Sequence, residues 1–503
     1  MTTILLARRF LAGYARNPVN LLFLVLVPVV FVVVAAGSIA DAAKLLGGVA
    51  GGTAVQTATA GWAAGFLAAI AMYFQVSGAR GTDRRLVISG LPAARLVAAR
   101  LLAGLALAGL ATAAALAALA ARSAGIDDAG RVVAGTLMFA VIYLGIGAVV
   151  GVLMANPVNG TVLILFVWMV DLALGPVLGA PDAVPTRVLP THFVSLWMTG
   201  NPSGHAGGPG DLGWALAWTL GAAALAFAVV SATTRVARPR RRRRPGGVPD
   251  QLGAALAAGM RDWGRNAVLW VLLAAVPAVF ILLTRFTTPE RVVSIPVSGD
   301  GSSLVGMADF TKLHPALMAP AAVAGLAALA GMFVILDSRT GDRRLALAGQ
   351  RLGTLLVARL ALVALAAATA TAVALAFTAA VSDVRGWFVY AAGIALTAVT
   401  YGLIGVVIGP LFGRVAGVFI AFLVPVLDIL FAQSPMLRPT PATWAHFLPA
   451  YGANRVLVDG ALTSVFNQSG SLLLAVAWVA ALTVVAALVF RHTMRTAGPL
   501  RRA

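Results

Sequence analysis

Apolar residues fall into runs of about twenty, separated by short polar segments rich in arginine, glycine and proline. In the first half the runs cover residues 19–37, 57–78, 101–121, 132–154, 159–179 and 212–234; in the second they cover 267–284, 316–336, 355–381, 387–411, 415–432 and 471–490. A helix of roughly twenty apolar residues crosses the ~30 Å hydrocarbon core of a bilayer. No water reaches the backbone there, so each run is expected to satisfy its N–H and C=O groups internally, as a helix. The pattern therefore predicts an all-α integral membrane protein with about twelve transmembrane helices.

The runs are similar to one another in order. Arg16-Asn17, Pro28 and Phe31 recur as Arg265-Asn266, Pro277 and Phe280, all at one offset. Further along, Gly-Thr-Asp-Arg-Arg-Leu ending at Leu86 matches Thr-Gly-Asp-Arg-Arg-Leu ending at Leu345, and Ala99-Arg100-Leu101 matches Ala358-Arg359-Leu360. The segment starting at Tyr143 (YLGIGAVVG) parallels the one starting at Tyr401 (YGLIGVVIG). Asp171 parallels Asp428, and Leu189-Pro190 parallels Leu448-Pro449. Ordered self-similarity of this kind predicts a duplication. The expected domains are a first six-helix repeat at 1–234, an Arg/Pro-rich linker at 235–250 and a second six-helix repeat at 251–503. An even number of spans per repeat makes the two parallel, related by an axis along the membrane normal, with a central interface as the expected pathway.

Composition agrees, with 60% hydrophobic and 11% charged residues, against roughly a quarter charged in soluble domains. A net charge of +20 would suggest nucleic acid in a soluble chain; here the basic residues sit between apolar runs, so anionic lipid headgroups are the expected partners and nucleic acid is not. Arg8, Arg9 and Arg16 precede the first run, which is long and lacks a convincing cleavage site, so it is expected to be retained as a span. Placing both termini in the cytoplasm keeps Arg235, Arg238 and Arg240–Arg244 inside, as the positive-inside rule requires. A multi-pass protein of the cell (plasma) membrane is expected.

Enzymatic chemistry has little support. The five histidines are scattered, with no pair at helical ligand spacing, and the chain has no cysteine, which argues against a metal site. Glu290 is the sole glutamate, so paired catalytic carboxylates are not expected. A P-loop needs glycine before its lysine, but Lys44 follows Ala43 and Lys312 follows Thr311. ATP-driven transport would need a separate ATPase subunit.

Between the second and third runs of each half lies an arginine-rich elbow, at residues 80–100 and 338–359. Each mixes arginines with apolar positions and is expected to lie along the interface as a short amphipathic helix. Topology anchoring needs arginines but no fixed order, so the recurring Asp-Arg-Arg-Leu favours a docking element.

Together with the amphipathic lead ILLARRFLAGYARNP and the proline-led segments LPTHFVSLWMTGNP and LPAYGANRVLVDG, these elbows resemble the permease subunits of ABC-2 type (type V) ABC exporters, with two half-permeases fused. The resemblance implies connecting helices at 4–16 and 256–265, and short re-entrant helices in the proline-led segments. It also implies ATPase-coupling elements marked by Asp83, Arg84, Arg85 and Leu86 and by Asp342, Arg343, Arg344 and Leu345. Two copies of a separate ABC ATPase, holding ATP and Mg²⁺, would supply the energy; this chain would carry no cofactor. Ala267 in place of Pro18, and the longer segment 285–315, depart from strict equivalence of the halves.

Asp171 and Asp428 are read near the middle of the fifth and eleventh runs, where a carboxylate costs on the order of 3 kcal/mol on insertion scales. Two roles are open: a pathway-facing acid that attracts a cation or carries a proton, or a hydrogen-bonded residue joining helices. Gln75, Phe66 and Phe74 are further candidates for the pathway, although Trp62, Phe66, Tyr73 and Phe74 fit packing better. The expected function is ATP-driven efflux of hydrophobic or amphipathic compounds such as antibiotics and other drugs, by alternating access, because few polar groups could replace a polar substrate's hydration. A proton-coupled transporter using Asp171 and Asp428, an ABC exporter of lipids or lipid-linked precursors, and a membrane assembly or sensory protein that transports nothing are the alternatives.

Overall fold

The computed structural model describes residues 2–46, 52–122, 128–178, 184–200, 207–234, 251–299, 302–437, 441 and 443–495. Several helix starts are fixed by asparagine caps. The side-chain oxygen of Asn17 accepts from the Val19 N–H at 3.2 Å, and that of Asn156 accepts from the Val158 N–H at 2.9 Å. Proline follows each cap at the first helical position, where the missing N–H costs nothing. Asn266 caps its helix in the same way although Ala267 replaces the proline, accepting from Leu269 N–H at 3.3 Å.

By contact clustering the chain divides into two compact units, Met1–Arg241 and Arg242–Ala503. The expected linker, 235–250, lies outside the described residues. Unit one runs α1 (Thr2–Ala15), α2 (Pro18–Leu45), α3 (Gly52–Ile88), α4 (Ala93–Arg122), α5 (Ala129–Leu153), α6 (Pro157–Ala173), a 3-10 turn (Val184–Val188), α7 (His192–Thr199) and α8 (Pro209–Thr234). Its core is the pair α3 and α5, with α4 and α6 packed on α3.

Unit two runs α9 (Gln251–Gly264), α10 (Ala267–Thr287), strands β1 (Val292–Gly299) and β2 (Ser302–Asp309), α11 (Phe310–Leu347), α12 (Leu352–Val381) and α13 (Trp387–Pro425). A π-helical segment (Val426–Ala432), a 3-10 turn (Thr443–Phe447), α14 (Tyr451–Leu462) and α15 (Ser469–Arg495) complete it. The α11–α13 pair is its core.

Among the described residues ten helices are long and apolar enough to cross a membrane, and the chain is an α-helical, multi-pass membrane protein. The fifth, tenth and eleventh of the twelve expected runs account for the difference between twelve and ten. The fifth forms a helix of only 17 residues, about 25 Å long, because Gly175 and Pro176 follow its end at Ala173. The tenth and eleventh follow one another within Trp387–Ala432 as two helices that meet at a kink, because Gly413, with φ of 75° and ψ of −169°, is non-helical and interrupts the helix between the two expected runs.

Two expectations are corrected. The arginine-rich elbows are not separate interfacial helices: α3 and α11 continue through both Asp-Arg-Arg-Leu sequences and turn sharply into α4 and α12. The turn is a glycine-capped Schellman motif in each unit. Gly90 has φ 99°, with Gly90 N–H on Val87 C=O at 3.1 Å and Leu91 N–H on Leu86 C=O at 3.0 Å. Gly349 has φ 92°, with equivalent bonds to Ala346 at 3.1 Å and from Gln350 to Leu345 at 2.9 Å. The other departure is an antiparallel hairpin, β1–β2, in the expectedly all-α chain, with Val292 paired to Asp309 and Gly299 to Ser302.

Candidate functional site

The two helical turns are built alike from the residues upward. In unit one the Asp83 carboxylate receives both Nε–H and Nη2–H of Arg100, a two-pronged ion pair between α3 and α4. Both residues are buried, at 3% and 6% exposure. Arg100 also donates to the Gln75 carbonyl at 3.2 Å, and its guanidinium lies 4.3 Å from the ring centroid of Phe10 on α1. The arginine thus joins the lead helix, the long helix and the helix after the turn. In unit two, Asp342 and Arg359 repeat the pair between α11 and α12, at 3.1 and 2.5 Å. The lead helix α9 packs on the same element: Leu256 and Trp263 lie against a core containing Leu355, Leu362 and Phe490.

The expected coupling residues therefore divide by role. Asp83 and Asp342 face inward and hold the turn. Arg84, Leu86 and Arg343 are half-buried, while Arg85, Arg344 and Leu345 are exposed. At the tip of each turn stands an apolar side chain that the sequence reading did not single out, Ile88 at 76% exposure and Leu347 at 87%. The signal was present, since Ile88 and Leu347 keep the same repeat offset as Leu86 and Leu345. The exposed surface each turn offers is a cation beside a bare aliphatic group.

The intramembrane acids form a second matched arrangement. Asp171 is not at mid-helix; it stands two residues before the end of α6 because that helix stops early. It receives three hydrogen bonds: from the Tyr143 hydroxyl on α5 at 2.7 Å, from the Thr191 hydroxyl at 2.6 Å and from the Thr191 N–H at 3.3 Å. Asp428, in the π-helical segment after α13, also receives three. Tyr401 donates at 2.6 Å and the Ala450 N–H at 3.0 Å, and the Gln433 amide takes the place of the threonine hydroxyl. Thr191 and Ala450 are the residues directly after Leu189-Pro190 and Leu448-Pro449. Three separately repeated sequence features, the tyrosine, the aspartate and the Leu-Pro pair, thus meet at one point in each unit.

Both carboxylates are buried, at 1% and 2% exposure. The geometry favours their role in joining helices: each ties a proline-led segment to the helices beneath it. An unpaired carboxylate at such a place would carry a penalty of several kcal/mol.

The other candidate pathway residues, Phe66, Phe74 and Gln75, all stand on α3. Phe66 is fully buried, its ring 5.3 Å from Trp168, whose indole N–H donates to the Trp62 carbonyl at 2.9 Å. Phe74 is half-buried with its ring 5.0 Å from that of Tyr73, and the Tyr73 hydroxyl donates to the Asn156 carbonyl at 3.1 Å. Gln75 is half-buried, and its side-chain amide has no hydrogen-bond partner among the described residues. These contacts fix α3 against α6. A cavity in unit one, between α5 and α8, is lined by none of these residues.

Compared with known proteins, the chain matches no protein-family model and no curated protein sequence. The functional reading therefore rests on the geometry of the site.

Proposed function

We propose that this chain is the membrane-spanning subunit of an ATP-driven ABC exporter of hydrophobic or amphipathic compounds, powered by a separate ATPase subunit. The observation that carries the reading is the matched pair of turns, each pinned by an Asp–Arg pair whose carboxylate is buried and each presenting an exposed arginine and a bare aliphatic tip. A partner that exerts force on the membrane helices needs a handle that does not yield, and an ion pair that pins two helices together across the turn supplies one in each unit. Two such handles suit two copies of one partner. On this reading the chain comprises twelve spans in two parallel repeats in the cell membrane, with both turns and both termini in the cytoplasm.

The substrate class follows from the scarcity of polar groups within the spans: a sugar or ion would find little to replace its water. Lipids and lipid-linked precursors fall in the same chemical range. The hydrogen-bonded state of Asp171 and Asp428 supports ATP-driven over proton-coupled transport, since both carboxylates are engaged within their own units.

The test is affinity purification of the intact chain from its native membrane, with ATP-dependent efflux assayed in parallel. A Walker-type ATPase copurifying at two copies per chain, with export lost on ATP depletion, is the expected result. Export that persists without ATP but collapses with an uncoupler would overturn the proposal.

A further inference from the structure

The two units differ at one pair of matched arginines. Arg80 on α3 and Arg339 on α11 keep the repeat offset of the Asp-Arg-Arg-Leu sequences that follow them. In unit one, α5 stops at Leu153, and the last carbonyls of a helix have no partner within it. The Gly151 carbonyl is one of these, and Arg80 donates to it through Nε–H at 3.0 Å and through Nη2–H. In unit two the matching chain runs on to Pro425 in two helices that meet at Gly413. Arg339 gains no such carbonyl: its Nε–H is buried and makes no hydrogen bond among the described residues.

One turn further along α11, Arg343 is in the same condition, with Nη2 buried and unbonded. Residues four apart on a helix are neighbours on one face, roughly 6 Å apart. That face packs on α13, since Met332 and Leu336, earlier in the same row, are what a Cβ at Gly409 would meet. Both arginines are half-buried, so each keeps part of its surface open.

No carboxylate on this stretch of α11 is left to neutralise them. Asp337 is taken by Arg414 at 2.6 Å, and Asp342 by Arg359. Arg339, Arg343 and Arg344 therefore stand as three cations with no carboxylate bound to them among the described residues. A buried donor on a charged group is costly without an acceptor, so the arrangement calls for an anion. One carboxylate would balance one arginine; a group that offers several oxygens and enough charge to two guanidiniums at once is a phosphate. The pair also stands just past Ile335 and Leu336, where the apolar part of α11 ends. That is the level at which a spanning helix meets headgroups and solvent.

We propose that Arg339 and Arg343 form a binding site for one phosphate group, which unit one lacks because Arg80 is spent on Gly151. An anionic lipid and a soluble phosphate share this chemistry. The site is independent of the ATPase partner, since it concerns unit two alone.

The full-length chain, purified in neutral detergent, is tested with two probes. Phosphatidylglycerol is compared with phosphatidylcholine of the same acyl chains, read as bound adducts by native mass spectrometry. Inorganic phosphate is compared with chloride at equal ionic strength, read as melting temperature. Arg339→Met with Arg343→Met removes the site; Arg8→Gln with Arg9→Gln removes as much charge from exposed positions on α1. The wild type should retain a phosphatidylglycerol adduct that phosphatidylcholine does not match, or be stabilised by phosphate over chloride. The first result assigns the group to a lipid, the second to a soluble ligand. In either case binding should weaken on the order of tenfold or more in the α11 variant, the scale of a hydrogen bond to a charged group, and stay unchanged in the α1 variant. Without either probe the α11 variant should melt no lower than the wild type, because its arginines hold no internal bond. No response to either probe, a response that the α11 variant keeps, or one that both variants lose equally would overturn the proposal. So would a lower melting temperature of the ligand-free α11 variant, which would make the two arginines structural.

Discussion

The carboxylate of Asp342 receives the Nε–H and an Nη–H of Arg359 at 3.1 and 2.5 Å, across the turn that joins α11 to α12. Asp83 and Arg100 stand in the same relationship in unit one, at the same sequence separation. The aspartate of the repeated Asp-Arg-Arg-Leu is therefore spent inside the protein, and its arginines and the following apolar tip are what a partner would meet.

Breaking one side of this pair should be costly. Arg359→Met leaves a buried, uncompensated carboxylate and is expected to destabilise unit two by about 3–5 kcal/mol, whereas Asp342→Leu combined with Arg359→Met should recover much of that loss. Thermal unfolding of the purified chain in detergent, read as a double-mutant cycle, measures both. A double variant no more stable than the single one would count against a simple ion-pair role.

The tips should behave in the opposite way. Ile88→Asp and Leu347→Asp alter exposed side chains, so stability is expected to stay within about 0.5 kcal/mol, while copurification of the ATPase is lost when both are changed. The folded fraction by size exclusion and the copy number of the partner decide the matter together. Retained partner binding in the double variant would remove the docking role from the turns.

The carboxylate at α6 makes a separate prediction. Thr191→Val removes one hydroxyl donor from Asp171 and keeps the backbone N–H, at an expected cost of about 1–3 kcal/mol. Hydrogen exchange should quicken across 184–199 and leave α3 unchanged. If Asp171 instead served as a proton carrier, Asp171→Asn would abolish transport with exchange in that segment unaltered.

How far these features could be seen in the sequence depended on the scale of the signal. Helices were legible because some twenty apolar residues leave few other structures open in a membrane. Their ends were not: hydropathy runs on past Ala173, and Gly175-Pro176 decides where α6 stops. The elbows were misread because arginines at helical spacing suggest an interfacial helix, while the decisive residues are Gly90 and Gly349, which alone permit the sharp turn. The β1–β2 hairpin carries its own signal within the longer segment 285–315, since Asp300-Gly301 stands between two apolar stretches, a strong hairpin signal. Asp171 and Asp428 were found by pattern, but their role needed the positions of Thr191 and Ala450, which no spacing rule supplies.

The small residues of α5 and α13 carry the last prediction. An added Cβ at Gly147 would collide with the Ala69 carbonyl, and one at Gly405 with the Ala328 carbonyl. In each unit the two core helices come into close backbone contact here, as small residues allow in membranes. Gly147→Ala and Gly405→Ala should each cost about 1–3 kcal/mol, because the obstacle is main chain and cannot swing aside. Gly109→Ala and Gly325→Ala place the same methyl group where nothing lies within 4 Å, and helix propensity should make them neutral or mildly stabilising. Melting temperatures of the four variants compare the two classes directly. If all four fell alike, the loss would lie in glycine's flexibility and not in the close approach of α5 to α3 and of α13 to α11.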